Sequence, residues 1–110
     1  MSIEGRCHCG AVHVTLAYAP TDINECQCTH CQKRGARWAY YEASDVNVTG
    51  DTATYSWGDK GIAFHFCPVC GCSTHWSPND PKRMRRGINV RMMEAADLVG
   101  AVVRQSPGPR

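Results

Sequence analysis

The chain has 110 residues and no apolar run that approaches a membrane span, which takes about 18 consecutive residues. Its opening, MSIEGRC, lacks the apolar core of a secretory signal, so the expected setting is a reducing cytoplasm. An excess of one charge is also missing. Twelve Lys and Arg stand against ten Asp and Glu, for a net +2, which exerts no strong pull on nucleic acid or anionic membrane. The basic run RMRR at 83–86 is therefore read as a solvated loop. Internal repeats and low-complexity blocks are absent too.

Long helical patterns are scarce, and segments of period two take their place. VHVTLAY at 12–18 puts Val12, Val14, Leu16 and Tyr18 on one face. RWAYYE, VNVTG, TATYSW, IAFHF and INVRM are likewise short and rich in β-branched and aromatic residues, as strands are. Turn signals such as Ala19-Pro20, Gly50-Asp51 and Gly58-Asp59 separate them. The one helical turn expected lies in MEAADLVG, before Gly100. The reading is a mainly β domain of small sheets with little helix, spanning 1–104, followed by a disordered tail at 105–110.

Cysteine is what the sequence has in plenty: eight in 110 residues. They fall in three tight clusters: CHCG with Cys7 and Cys9, CQCTHC with Cys26, Cys28 and Cys31, and CPVCGC with Cys67, Cys70 and Cys72. Thiols one residue apart are poor disulfide partners for each other but can ligate one metal together. In a reducing compartment the clusters read as metal sites. CPVCG has the form of a zinc knuckle, in which the turn at Gly71 aims both sulfurs at one ion. A core this small also benefits from a metal staple, and structural zinc supplies on the order of 10 kcal/mol of apparent binding energy.

One division of the thiols pairs Cys7 and Cys9 with Cys67 and Cys70, leaving Cys26, Cys28 and Cys31 as a trio and Cys72 over. Spacing leaves other divisions open. Cys72, His30 or His8 can complete the trio as a second closed site. An open trio has a chemical meaning. Catalytic zinc keeps three protein ligands and one exchangeable position. Three thiolates make the metal a weak acid toward water but a good host for a soft ligand such as a substrate thiol. A thiol held as thiolate beside a carbonyl carbon is a ready nucleophile, and aldehydes are the simplest such electrophile.

The ordered set CHCGAV, CQCTHC and FCPVCG resembles the family of glutathione-dependent formaldehyde-activating enzymes, which includes centromere protein V. The resemblance runs from residue 5 to residue 92, and RGARWAYY and the VTG at 48–50 share in it. It implies a mainly β, zinc-stabilised fold of the Mss4-like type. It also implies two zinc ions: a structural one on Cys7, Cys9, Cys67 and Cys70, and a catalytic one on Cys26, Cys28 and Cys31. The implied reaction joins glutathione and formaldehyde as S-hydroxymethylglutathione, formally a carbon–sulfur lyase working in the condensing direction.

Lys33, Arg34 and Trp38 are the candidate substrate contacts. The two cations suit the carboxylates of an acidic thiol such as glutathione, against the plainer reading, in which they and Arg37 lie on a solvated turn. Trp38, with Tyr40 and Tyr41, suits a pocket wall or the core. His30 is a candidate proton shuttle, while His65 and His75 read as structural. The partners expected are a small thiol and an aldehyde, with neither membrane nor nucleic acid. The alternative is a non-catalytic, zinc-stapled β module that binds protein or nucleic acid. A fourth protein ligand on the trio would favour that alternative.

Overall fold

The computed structural model describes residues 3–107. Two sheets account for the pairing between strands. A three-stranded sheet joins β1 (Ile3–Arg6), β2 (His13–Leu16) and β5 (Val46–Thr49) in the order β1-β2-β5. A seven-stranded sheet contains β3 (Asp22–Cys26), β4 (Trp38–Glu42), β6 (Ala53–Tyr55), β7 (Ile62–Phe66), β8 (Ser73–Pro78), β9 (Arg85–Asn89) and β10 (Val102–Ser106). Its order is β10-β3-β4-β9-β8-β7-β6. The mainly β architecture expected of an Mss4-like chain is the one adopted. No helix among the described residues is long and apolar enough to cross a membrane.

Period two does the packing. On β2, Val14 and Leu16 are fully buried while His13 and Thr15 are half-buried, and β4 sends Ala39 and Tyr41 into the same core. Ile88, Val90 and Met92 fill the core from β9 and the turn after it. The smaller sheet is docked onto it by a bridge between Gly5 and Met93.

Three expectations need correction. The tail at 105–110 does not begin at Gln105: Gln105 and Ser106 belong to β10, which pairs in parallel with β3 and sets Ser106 opposite Cys26. Backbone hydrogen bonds to β3 order these polar residues, a tertiary gain that local composition does not reveal. Residues 108–110 lie outside the described residues. The run at 83–86 is only half loop, because Arg85 and Arg86 pair with Glu42 and Tyr41 across β4 and β9. The segment MEAADLVG does hold a turn, a 3₁₀ one at Ala95–Leu98, but the one α-helix among the described residues, α1 (Thr29–Arg34), starts within CQCTHC and runs three residues past it.

Helix α1 has too few residues to show a periodic apolar stripe, so its ends have to define it. The Cys28 sulfur accepts the Cys31 N–H at 3.4 Å, acting as the N-cap. Gly35 closes it in the left-handed conformation at φ 65° and donates to the Gln32 carbonyl. Lys33 and Arg34 occupy its last turn, the favourable end for cations.

Candidate metal centre

The N-terminal turn and the β7–β8 connection bring four thiols together. Cys7, Cys9, Cys67 and Cys70 have all their sulfurs within 4.8 Å of one another. The Cys7–Cys9 and Cys9–Cys67 sulfur separations are 3.7 and 3.6 Å. Sulfurs about 2.3 Å from a tetrahedral zinc lie about 3.8 Å apart, so the donor set fits that ion. All eight cysteines are free of disulfides. Backbone N–H groups also point at the sulfurs, from Val12 to Cys7 at 3.3 Å and from Val69 to Cys67 at 3.4 Å. The N–H groups of Cys9 and Cys72 pull the Cys70 thiol down to about 6. Such donors stabilise thiolate, the form a metal needs.

The second group is Cys26, Cys28 and Cys31, all buried, with sulfurs likewise within 4.8 Å of one another. They come from the end of β3, the N-cap of α1 and its first turn. No fourth Cys, His, Asp or Glu among the described residues joins them. Burial pushes the Cys26 and Cys31 thiols up. Burial also works against ionisation of Cys28, yet the Cys31 N–H and the neighbouring thiols bring it down. Three thiolates cannot coexist in one buried cluster without a cation, and a divalent ion that favours sulfur fits this set.

None of the candidate fourth ligands, Cys72, His30 or His8, belongs to this group. Cys72 packs beside Cys7, Val12 and Cys67, and its S–H donates toward the Ser73 carbonyl at 3.6 Å. His30 has Nδ1 3.9 Å from the Cys31 sulfur, and its ring packs against Phe64 with centroids 4.1 Å apart. Burial, with Arg34 nearby, holds this imidazole below its usual value. His65 and His75 stack across β7 and β8 with centroids 4.0 Å apart, tied to Thr52, Ser77 and Thr74. Neither belongs to a thiol group.

The trio opens on a cleft of about 250 Å³. Trp38 lines it at 2 % exposure and donates its indole N–H to the Cys31 sulfur at 3.3 Å. Tyr40 lines it as well, and its hydroxyl accepts from Asn24 Nδ2 at 2.5 Å. Burial pushes the Tyr40 phenol up, so it keeps its proton. Trp57, Phe64 and Trp76 complete an aromatic wall drawn from the loop after β6 and from β7 and β8. Their part in the site was not anticipated; the alternation in IAFHF was its only local trace.

Of the candidate substrate contacts, the structure brings only Trp38 to this cleft. Lys33 and Arg34 do not line it. Helix α1 turns them outward, with the Arg34 guanidinium 5.3 Å from the Phe66 ring centroid. Arg37 is bound to Glu25 at 2.6 Å.

A small β protein with one four-sulfur cluster and one three-sulfur cluster facing an aromatic cleft is the class defined by fold and site. The family model described as glutathione-dependent formaldehyde-activating enzyme matches residues 2–104, and the chain belongs to that family. A curated protein of Halomonas elongata, provisionally named as an enzyme of this kind, is 36% identical over 55 residues. That alignment covers 49% of this chain and 32% of the relative, so the chain matches about a third of that protein's length. A crystal structure of a Rhodobacter sphaeroides protein is similar throughout, with a TM-score of 0.73 and 29% identity. The match covers 93% of this chain and all of that one.

Proposed function

We propose that the cleft over Cys26, Cys28 and Cys31 adds a thiol, glutathione or a relative of it, to a small aldehyde such as formaldehyde. The reverse reaction is carbon–sulfur cleavage, which makes the protein a carbon–sulfur lyase in type. The observation that carries this reading is the contrast between the two clusters. Four sulfurs close one; three sulfurs and an aromatic cleft leave the other with room for a substrate ligand.

Zinc fits both donor sets: on Cys7, Cys9, Cys67 and Cys70 it would staple residues 1–104 as one domain, and on Cys26, Cys28 and Cys31 it would be the catalytic ion. Bound at the trio, it supplies a soft Lewis acid that keeps a substrate thiol ionised at neutral pH. The chain's own groups do the rest. The aromatic walls exclude water and hold the aldehyde against the sulfur. As the sulfur–carbon bond forms, the carbonyl π pair moves onto oxygen. The Tyr40 hydroxyl, already accepting from Asn24, has its proton free to donate to that oxygen. The product alkoxide is more basic than phenolate, so the proton passes to it and Tyr40 is reprotonated from solvent. Trp38 holds the Cys31 sulfur in place through its N–H.

The deciding measurement is zinc X-ray absorption on the pure protein with and without glutathione. Two zincs per chain are expected, with the sulfur share of the average coordination rising on addition of thiol. Two zincs with no response to any thiol would overturn the reading.

A further inference from the structure

We propose that Trp57 sets the specificity of this cleft: its indole N–H donates to the carbonyl oxygen of an amide carried by the thiol substrate. This rests on the trio being a thiol site and names the residue that reads the body of the thiol. Among the described residues, Trp57 Nε1 and His30 Nε2 are buried side-chain nitrogens with no hydrogen-bond partner. The two rings stack with centroids 5.9 Å apart, so the unmet bonding is gathered in one wall. An indole N–H is a donor only, and a buried donor left unpaired costs its full desolvation. A ligand that brings an acceptor recovers that cost.

Other donors of the cleft are committed. The Trp38 N–H serves the Cys31 sulfur, and Asn24 Nδ2 serves the Tyr40 oxygen. The Tyr40 proton goes to the aldehyde oxygen in the reaction proposed above. Among the side chains that line the cleft, Trp57 alone has a buried polar atom without a partner.

The ring has room to turn toward a ligand. With Ile62 and Phe64 it borders both the cleft of about 250 Å³ and a second hollow of about 300 Å³. The residue is half-buried, although its N–H is sealed. Its backbone is fixed by the turn that follows, where the Trp57 carbonyl accepts the Lys60 N–H at 3.0 Å and Gly58 takes φ 65°. Rotation about the side-chain bonds therefore carries the N–H into the cleft without unfolding the turn.

The nature of the acceptor follows from this setting. The wall is aromatic and Trp57 carries no charge, so the matching group is neutral. An amide carbonyl buried here without a donor would be costly; paired with Trp57, both groups are satisfied. In a cysteine-based thiol such carbonyls lie only a few bonds from the sulfur, so the trio and the wall can hold the two ends together. A plain alkyl thiol leaves the N–H unpaired, and sites built around a hydrogen bond reject analogues that lack it.

The test compares Trp57→Phe with the parent by calorimetry on the zinc-loaded protein. The probes are N-acetylcysteamine, which has an amide and no charge, 1-propanethiol, which has neither, and 3-mercaptopropionate, which has a carboxylate instead. N-acetylcysteamine is expected to bind the variant roughly fivefold to tenfold more weakly, and glutathione to weaken with it. The affinities of 1-propanethiol and 3-mercaptopropionate should stay the same. Near-UV circular dichroism and zinc content check that the variant keeps the native fold. An equal loss for N-acetylcysteamine and 1-propanethiol, no loss for N-acetylcysteamine, or a loss confined to 3-mercaptopropionate would each overturn the proposal. The thiol-site reading fails on a different result: no thiol perturbs the charge-transfer band of the cobalt-substituted parent. That result removes both readings, whereas thiol binding without amide selectivity at Trp57 removes only this one.

Discussion

The indole N–H of Trp38 donates to the Cys31 sulfur across 3.3 Å, from a side chain only 2 % exposed. This hydrogen bond ties strand β4 to helix α1 at the trio. Trp38→Phe keeps the ring and removes the donor. Zinc at the trio should then be held roughly tenfold more weakly, with the four-sulfur cluster unaffected. Stepwise zinc release to a competing chelator measures both.

The two clusters should respond differently to loss of a thiol. Cys28→Ser is expected to lower the zinc content from two to one per chain and abolish activity, while circular dichroism stays native. Cys67→Ser breaks the cluster that joins the N-terminal turn to the β7–β8 connection. Zinc held there would contribute on the order of 10 kcal/mol, so the variant should lose its cooperative thermal transition.

Tyr40→Phe removes the hydroxyl proposed to donate to the developing oxyanion and leaves the aromatic wall intact. Turnover should fall about a hundredfold, with thiol affinity unchanged. An equal loss in thiol affinity would move Tyr40 from the chemistry to the binding surface.

Gly87 sits opposite Trp76 on neighbouring strands, and a Cβ there would collide with the Trp76 indole ring. Gly87→Ala must displace this cleft wall. A stability loss of about 1–3 kcal/mol is expected from overpacking, with weaker binding of thiols. Denaturant unfolding and calorimetry check the two effects.

Burial, helped by the charges of His65 and Arg86, lowers His75 to about 3. The unfolded chain, with histidine near 6.5, binds the proton first as pH falls. The stabilisation is therefore complete above about pH 6.5 and is lost progressively toward pH 3. Between pH 6.5 and 5 this histidine alone should cost about 2 kcal/mol. His75→Gln should flatten that part of the profile relative to the parent, as read by urea unfolding with zinc in excess.

Much of the fold could be read from local pattern. VHVTLAY, RWAYYE, VNVTG and IAFHF each contain a strand, because alternation is a property of neighbouring residues. Helix α1 could not be read so. Its six residues carry no stripe, and its N-cap is a cysteine whose value as an acceptor depends on the site. Strand β10 was hidden for a related reason: Gln105 and Ser106 are ordered by β3, a segment about eighty positions earlier.

The sequence by itself determined the three thiol clusters, the mainly β character and the family, because sulfurs two or three residues apart are presented together by any tight local turn. Tertiary structure decided which clusters combine and how many ligands each has. The β7–β8 connection carries Cys67 and Cys70 to the N-terminal turn, and the chain then reverses at Gly71 so that Cys72 packs away from the trio. It also decided which side chains face the cleft. Lys33 and Arg34 follow the trio in sequence yet face away from the cleft, because a helix rotates each successive side chain by about 100°. Arg85, some fifty residues downstream, lines the hollow next to the cleft because β9 pairs with β4.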